Sequence, residues 1–163
     1  MEEKEYGLVL AGGGTKGAYQ VGVWKALQEL NINVTAIVGT SIGALNGALF
    51  LQDDIDSVIK MYEHIKINNI MNIEGIDSNK NIFDLSNIFN LAADYTKQKG
   101  IDNTPLRNMI REHVNMDKLY DSRINFGLVT YSVKNKIPLR KFKNEIPKEQ
   151  MEDYLLASSC FPI

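Results

Sequence analysis

Ala36-Ile37-Val38-Gly39-Thr40-Ser41-Ile42-Gly43-Ala44-Leu45-Asn46-Gly47-Ala48-Leu49-Phe50-Leu51 runs from a short buried stretch, through a serine bracketed by glycines, into a segment of alanine, leucine and glycine. Ala36 to Val38 reads as a strand, and Ala44 to Leu51 as a tightly packed core helix. Upstream, Tyr6 to Ala11 is a second apolar run, stopped by Gly12-Gly13-Gly14, and is expected to be a strand buried on both faces. Between them Ala18, Val21, Trp24, Leu27 and Leu30 recur at every third position, giving one face of a helix that ends near Asn31. Strand, helix, strand and helix in that order predict an α/β fold with a parallel sheet.

Downstream the pattern is less regular. Ile55, Val58, Ile59, Tyr62 and Ile65 have helical spacing, and Lys66 to Asn81 is an Asn/Ile-rich loop. A helix is expected over Leu85 to Lys99, closed by Gly100, and another from Thr104 with Pro105 at its first position. Ile124 to Val133 reads as a core strand, turning at Lys134 to Lys136 into a more polar strand, Pro138 to Phe142. A last helix starts at Pro147 and carries Met151, Tyr154, Leu155 and Ser158 on one face. The chain then ends on Cys160-Phe161-Pro162-Ile163 with no polar tail, which reads as a domain cut before its natural end.

Composition narrows the function. The 163 residues are one domain's worth, and 44% hydrophobic against 23% charged residues fits a globular core rather than a disordered chain. A net charge of −2 argues against nucleic acid as a partner. The single cysteine, Cys160, forms no internal disulfide, the charged start is no secretory signal, and no apolar run approaches the ~20 residues of a membrane span. A cytoplasmic protein is the expectation. No clustered His/Cys/Asp/Glu pattern points to a metal, and no cofactor is implied.

Gly39-Thr40-Ser41-Ile42-Gly43, between strand and helix, is the setting of a nucleophile elbow, with Ser41 as candidate nucleophile. A turn that sharp exposes the serine hydroxyl and brings the residues two places away into collision, so Gly39 and Gly43 meet a steric need. The helix behind it presents N–H groups and a positive dipole end to a developing oxyanion. The plainer alternative is a close-packed turn that merely needs its glycines. Gly12-Gly13-Gly14-Thr15-Lys16-Gly17 similarly forms a nest of N–H groups at a helix start, suited to a phosphate or to an oxyanion. Gly12, Gly14 and Gly17 satisfy G-x-G-x-x-G, but a dinucleotide fold wants an acidic residue where Gly39-Thr40-Ser41 stands, and a P-loop wants Ser or Thr after Lys16. Adjacent parallel strands would bring nest and elbow to one edge. Lys16 is either a contact for an anionic substrate or a solvated helix-start lysine. His64 and His113, the only histidines, lie in helical stretches and lack the loop context of a catalytic base.

G-G-G-T-K-G after the first strand, G-T-S-I-G after the second, and Ala157-Ser158-Ser159-Cys160-Phe161-Pro162 near the end resemble, in order and spacing, the patatin-like phospholipases. The resemblance implies a three-layer α/β/α domain with a mostly parallel sheet, residues 1–163 being one domain incomplete at its C-terminal end. It implies carboxyl-ester hydrolysis on phospholipids or other acyl lipids, with transient membrane contact, by a Ser-Asp dyad. Carried over, Ser41 is the nucleophile, the Gly12 to Gly17 loop with Gly13, Gly14 and Thr15 makes the oxyanion hole, and Ile42 adds an N–H. The family's aspartate stands in an Asp-Gly pair after the third block, and none of the twelve glycines here follows an aspartate. The base is thus expected beyond Ile163 and the chain alone inactive. The alternatives are a non-catalytic lipid-binding relative and a Rossmann-type nucleotide module.

Overall fold

In the computed structural model, residues 4–65 and 102–160 are described. Tyr6–Leu10 (β1) pairs in parallel with Val34–Thr40 (β2), β2 in parallel with Asn125–Ser132 (β3), and β3 antiparallel with Ile137–Phe142 (β4), so the sheet runs in chain order. The helices are Gly17–Glu29 (α1), Ile42–Phe50 (α2), Ile55–His64 (α3), Thr104–His113 (α4), Met116–Asp121 (α5) and Met151–Ser159 (α6). The chain divides into two compact units, Met1–His64 with Ile110–Pro162, and Ile65–Met109 with Ile163; sheet and site belong to the first. The expected loop over 66–81 and helix over 85–99 lie outside the described residues.

Chain-order topology explains the layering. Right-handed β-α-β crossovers that always step the same way put their helices on one face. Accordingly α2 packs on β1, β2 and β3, α6 on β3, and α1 against α2. Every residue of α2 from Gly43 to Phe50 is buried, as an apolar helix between sheet and α1 must be. Gly47 lets it approach closely, since a Cβ there would stand 2.8 Å from Phe126 Cε2. On α1, Trp24 stacks on Phe50 of α2 with ring centroids 5.0 Å apart.

The opposite sheet face carries a row in register, Val9, Val38, Gly127 and Phe142, one from each strand. Among the described residues β1 stands at one end of the sheet and Val9 is 78% exposed, where burial on both faces was expected. The α1 periodicity also needs correction. Val21 and Trp24 are buried, but Ala18 and Leu30 are exposed, because a strict three-residue repeat turns about 60° per step away from the helical stripe. The strand read as Ala36 to Val38 extends to Val34–Thr40, and residues 148–150 form a 3-10 turn before α6 starts at Met151. Helix α5 was not anticipated, although Asn115 signals it: its side chain accepts from Lys118 N at 3.1 Å, an ordinary N-cap.

Thr130 Oγ1, on the helix-covered face of β3, is buried and has no hydrogen-bond partner among the described residues. Thr130→Val is therefore expected to leave stability unchanged or raise it by up to ~1 kcal/mol, read as the urea midpoint, because it removes an unpaid desolvation cost. A loss larger than that would reveal a partner for the hydroxyl.

Candidate active site

Ser41 sits between the end of β2 and the start of α2 with φ 54° and ψ −129°. This is a positive-φ conformation well away even from the small left-handed well, which costs a non-glycine residue ~1–3 kcal/mol. Both of its peptide groups are tied down. The Ser41 carbonyl accepts from Ala44 N and Leu45 N at 2.8 and 3.2 Å, and its N–H donates to Ser158 Oγ at 2.9 Å. The bracketing glycines are sterically forced. A Cβ on Gly39 would run into the backbone of Gly43 and Ala44, and one on Gly43 into the carbonyl of Leu10. Ile42 opens α2, so its N–H precedes the first intrahelical bond and stays available at the positive end of a buried helix.

The glycine loop adjoins this turn. Register Leu10↔Gly39 sends both loops off the same sheet edge, and a Cβ on Gly12 would stand 3.2 Å from Ser41 Cβ. Gly13 and Gly14, at φ 154° and φ 55°, bend the chain into a 3-10 turn over Gly14–Lys16. That turn uses the N–H of Lys16, bonded to Gly13 O at 3.2 Å, and of Gly17, bonded to Gly14 O and Thr15 O. The N–H groups of Gly13, Gly14 and Thr15 precede its first hydrogen bond and have no place in its ladder. Gly17, included in the nest by sequence, directs its N–H into the turn and is buried where a Cβ would meet Ile42 and, at 2.6 Å, Tyr62 Oη. Its part is close packing. Lys16 is exposed and lays its stem along Gly13.

A polar network missed in the sequence holds the two ends of this loop. Fully buried Asn46 donates from Nδ2 to Gly17 O at 3.0 Å and to Gln20 Oε1 at 2.9 Å, and accepts from Tyr62 Oη at 2.7 Å. Gln20 Nε2 in turn donates to Ala11 O at 2.7 Å. The signal was one polar residue in an otherwise apolar helix, since a buried amide is kept only where its bonds are satisfied. Burial pushes the Tyr62 phenol up to about 12. Its ordinary value is about 10, so the folded state holds the proton longer and stability is lost as pH rises from 10 through 12. The expected loss is roughly 2–3 kcal/mol, measured by urea unfolding at pH 9 and pH 12, and Tyr62→Phe should lose that much less over the same interval.

A family model described as patatin-like phospholipase matches residues 8–163. The chain belongs to that family. Among curated proteins, a lysophospholipase nte1 of Aspergillus terreus is 52% identical over 63 residues, 39% of this chain and 4% of that protein. A neuropathy target esterase sws of Drosophila sechellia is 55% identical over 47 residues, 29% of this chain and 3% of that one. The chain thus spans a small part of the curated relatives it matches. The crystal structure of VipD from Legionella pneumophila has the same fold, with a TM-score of 0.59 and 16% identity over 99% of this chain and 43% of that one.

In this patatin-like chain the backbone of His113 lies beyond the C-terminal end of α2, away from the elbow. His113 O accepts from Gln52 Nε2 at 3.1 Å, just past the far end of a nine-residue helix that spans about 13 Å. His64 is exposed at the end of α3, with Nδ1 2.7 Å from its own Lys60 O. A cleft of about 370 Å³ also lies at that far end, among Gln52, Asp54, Met61, Arg111, His113 and Lys118. It includes nothing from the glycine loop or elbow, and its charges are of mixed sign. No helix among the described residues is long and apolar enough to cross a membrane.

Proposed function

We propose that Ser41 is the nucleophile of an acyl hydrolase acting on carboxyl esters of phospholipids or other acyl lipids, and that the glycine loop is its oxyanion hole. Family membership supports the hydrolase class. The observation that carries the assignment is the backbone of Ser41, kept in a costly conformation beside a loop of uncommitted N–H groups, which a plain connection has no reason to maintain.

The chemistry follows from the positions. Ser41 Oγ attacks the ester carbonyl carbon as a base takes its proton, and the carbonyl electron pair moves onto oxygen. The resulting oxyanion is met by the N–H groups of Gly13, Gly14, Thr15 and Ile42. Collapse expels the alcohol oxygen, which takes the proton from the base, and leaves an acyl ester on Ser41. Water, deprotonated by the same base, attacks the acyl carbon, and as the bond to Ser41 Oγ breaks that oxygen takes the proton back and the fatty acid is released. Among the described residues the partners of Ser41 are backbone groups and serine hydroxyls rather than a carboxylate. We assign the base to an aspartate outside these 163 residues, in the same domain, and expect little turnover from the chain alone. Lipid reaches the site through brief contact with a membrane surface.

Fluorophosphonate labelling read by intact mass, on this chain, its Ser41→Ala variant and the full-length protein, tests the reading. Labelling at Ser41 in the full-length protein is expected. No labelling in any form would instead favour a non-catalytic lipid-binding relative.

A further inference from the structure

We propose that Ser158 is a positioning residue for the nucleophile, its hydroxyl standing in for a rung of the sheet that the elbow breaks. The proposal rests on the reading of Ser41 as nucleophile. At alternate pairs of a parallel ladder the residue after a paired position donates its N–H to the carbonyl of the paired residue on the neighbouring strand, and Val129, whose carbonyl faces the elbow, is at such a pair. Thr40 pairs with Val129, so the next rung would join Ser41 N–H to Val129 C=O. At Ser41 the chain leaves the sheet for α2. The Ser158 hydroxyl, in the last turn of α6, bridges the same two groups: it accepts from Ser41 N at 2.9 Å and donates to Val129 O at 2.7 Å.

The relay fixes what the chemistry depends on. With the Ser41 carbonyl held by Ala44 N and Leu45 N, the relay fixes the preceding peptide too, and the direction of Cβ–Oγ is set. Only a side chain with one short donor and a lone pair on the same atom does this. Its neighbour does not duplicate it: Ser159 Oγ donates back to Leu155 O of its own helix at 2.9 Å and stands 3.4 Å from the Ser41 carbonyl, on the other side of the residue from the N–H that Ser158 holds. Without the hydroxyl, a donor and an acceptor lose their partners together, and the strained peptide is free to turn. Loss of aim at the reacting oxygen falls on the chemical step rather than on substrate binding.

The test compares Ser158→Thr with Ser158→Val in the full-length protein, since the two side chains have nearly the same volume and differ in the hydroxyl. Ser158→Ala and Ser41→Ala are measured beside them, each on protein that melts cooperatively, with p-nitrophenyl butyrate as substrate and fluorophosphonate labelling rate as second readout. The Val and Ala variants are expected to have kcat roughly 10- to 100-fold below the Thr variant, with KM within about twofold and labelling slowed in parallel. Equal kcat in Thr and Val, with Ser41→Ala inactive, overturns the relay and leaves the nucleophile standing. Full activity in Ser41→Ala overturns both.

Discussion

Ser41→Ala in the full-length protein is expected to cut ester hydrolysis by at least ~10⁴-fold and to abolish fluorophosphonate labelling, because no residual nucleophile shares its position. Stability should hardly change. Alanine keeps the same Cβ in the same backbone conformation, and the bonds that hold the turn run through the backbone N–H and C=O of Ser41 and survive the substitution. The expected shift is within about 0.5 kcal/mol by urea unfolding. An inactive protein of unchanged stability would separate loss of the nucleophile from loss of the fold, and a variant that still hydrolysed esters would remove Ser41 from the mechanism.

Asn46→Ala should be the most damaging single change to stability, at about 3 kcal/mol or more. It strips a donor from Gly17 O, frees Gln20, and leaves Tyr62 Oη without its acceptor, all around a fully buried position. Gln20 is half-buried and recovers water, so the cost is less than the sum of three broken bonds. Because Gln20 also holds Ala11 O, the glycine loop loses an anchor at each end, and kcat should fall in whatever fraction remains folded. Tyr62→Phe, which removes one bond and leaves the Asn46 amide its two acceptors, should cost only about 1 kcal/mol. Equal losses in the two variants would mean that the tyrosine, rather than the amide, organises the network.

Much of this architecture was readable because its causes are local. The elbow needs glycine at position 39 because a Cβ there would meet the main chain of Gly43 and Ala44 within the same turn, and the Gly12 to Gly14 run follows directly on the end of β1; at Gly43 the obstacle comes from Leu10 and Ala11, and only the motif spacing announced it. The antiparallel hairpin of β3 and β4 announced itself through its turn, although Pro138 falls second in its strand, tolerated because β4 is an edge of the described sheet. What was not readable depends on what lies across the fold. Nothing near Tyr6 to Ala11 tells that Val9 points away from the helical layer. Nothing around Ser158, which the sequence offered only as part of a family-like block, tells that its hydroxyl reaches Ser41, 117 residues away. Asn46 stood in plain view, but its partners come from α1 and α3 and had to be seen.

The glycines of the elbow differ from those elsewhere in what they clash with, and this bears on how the sequence can drift. At Gly17 and Gly47 an added methyl meets side chains, Ile42, Tyr62 and Asn46 in one case and Phe126 and Ile37 in the other. A smaller residue at those partners opens the room, so such positions are free to change in coupled pairs over evolutionary time. At Gly39 and Gly43 the obstacle is main chain, of Gly43 and Ala44 and of Leu10 and Ala11. No substitution shortens a peptide bond, and no second mutation compensates for the first. Lineages of this fold can therefore wander at the periphery of the turn while the two glycines flanking Ser41 stay where they are, whether or not the serine between them is still at work.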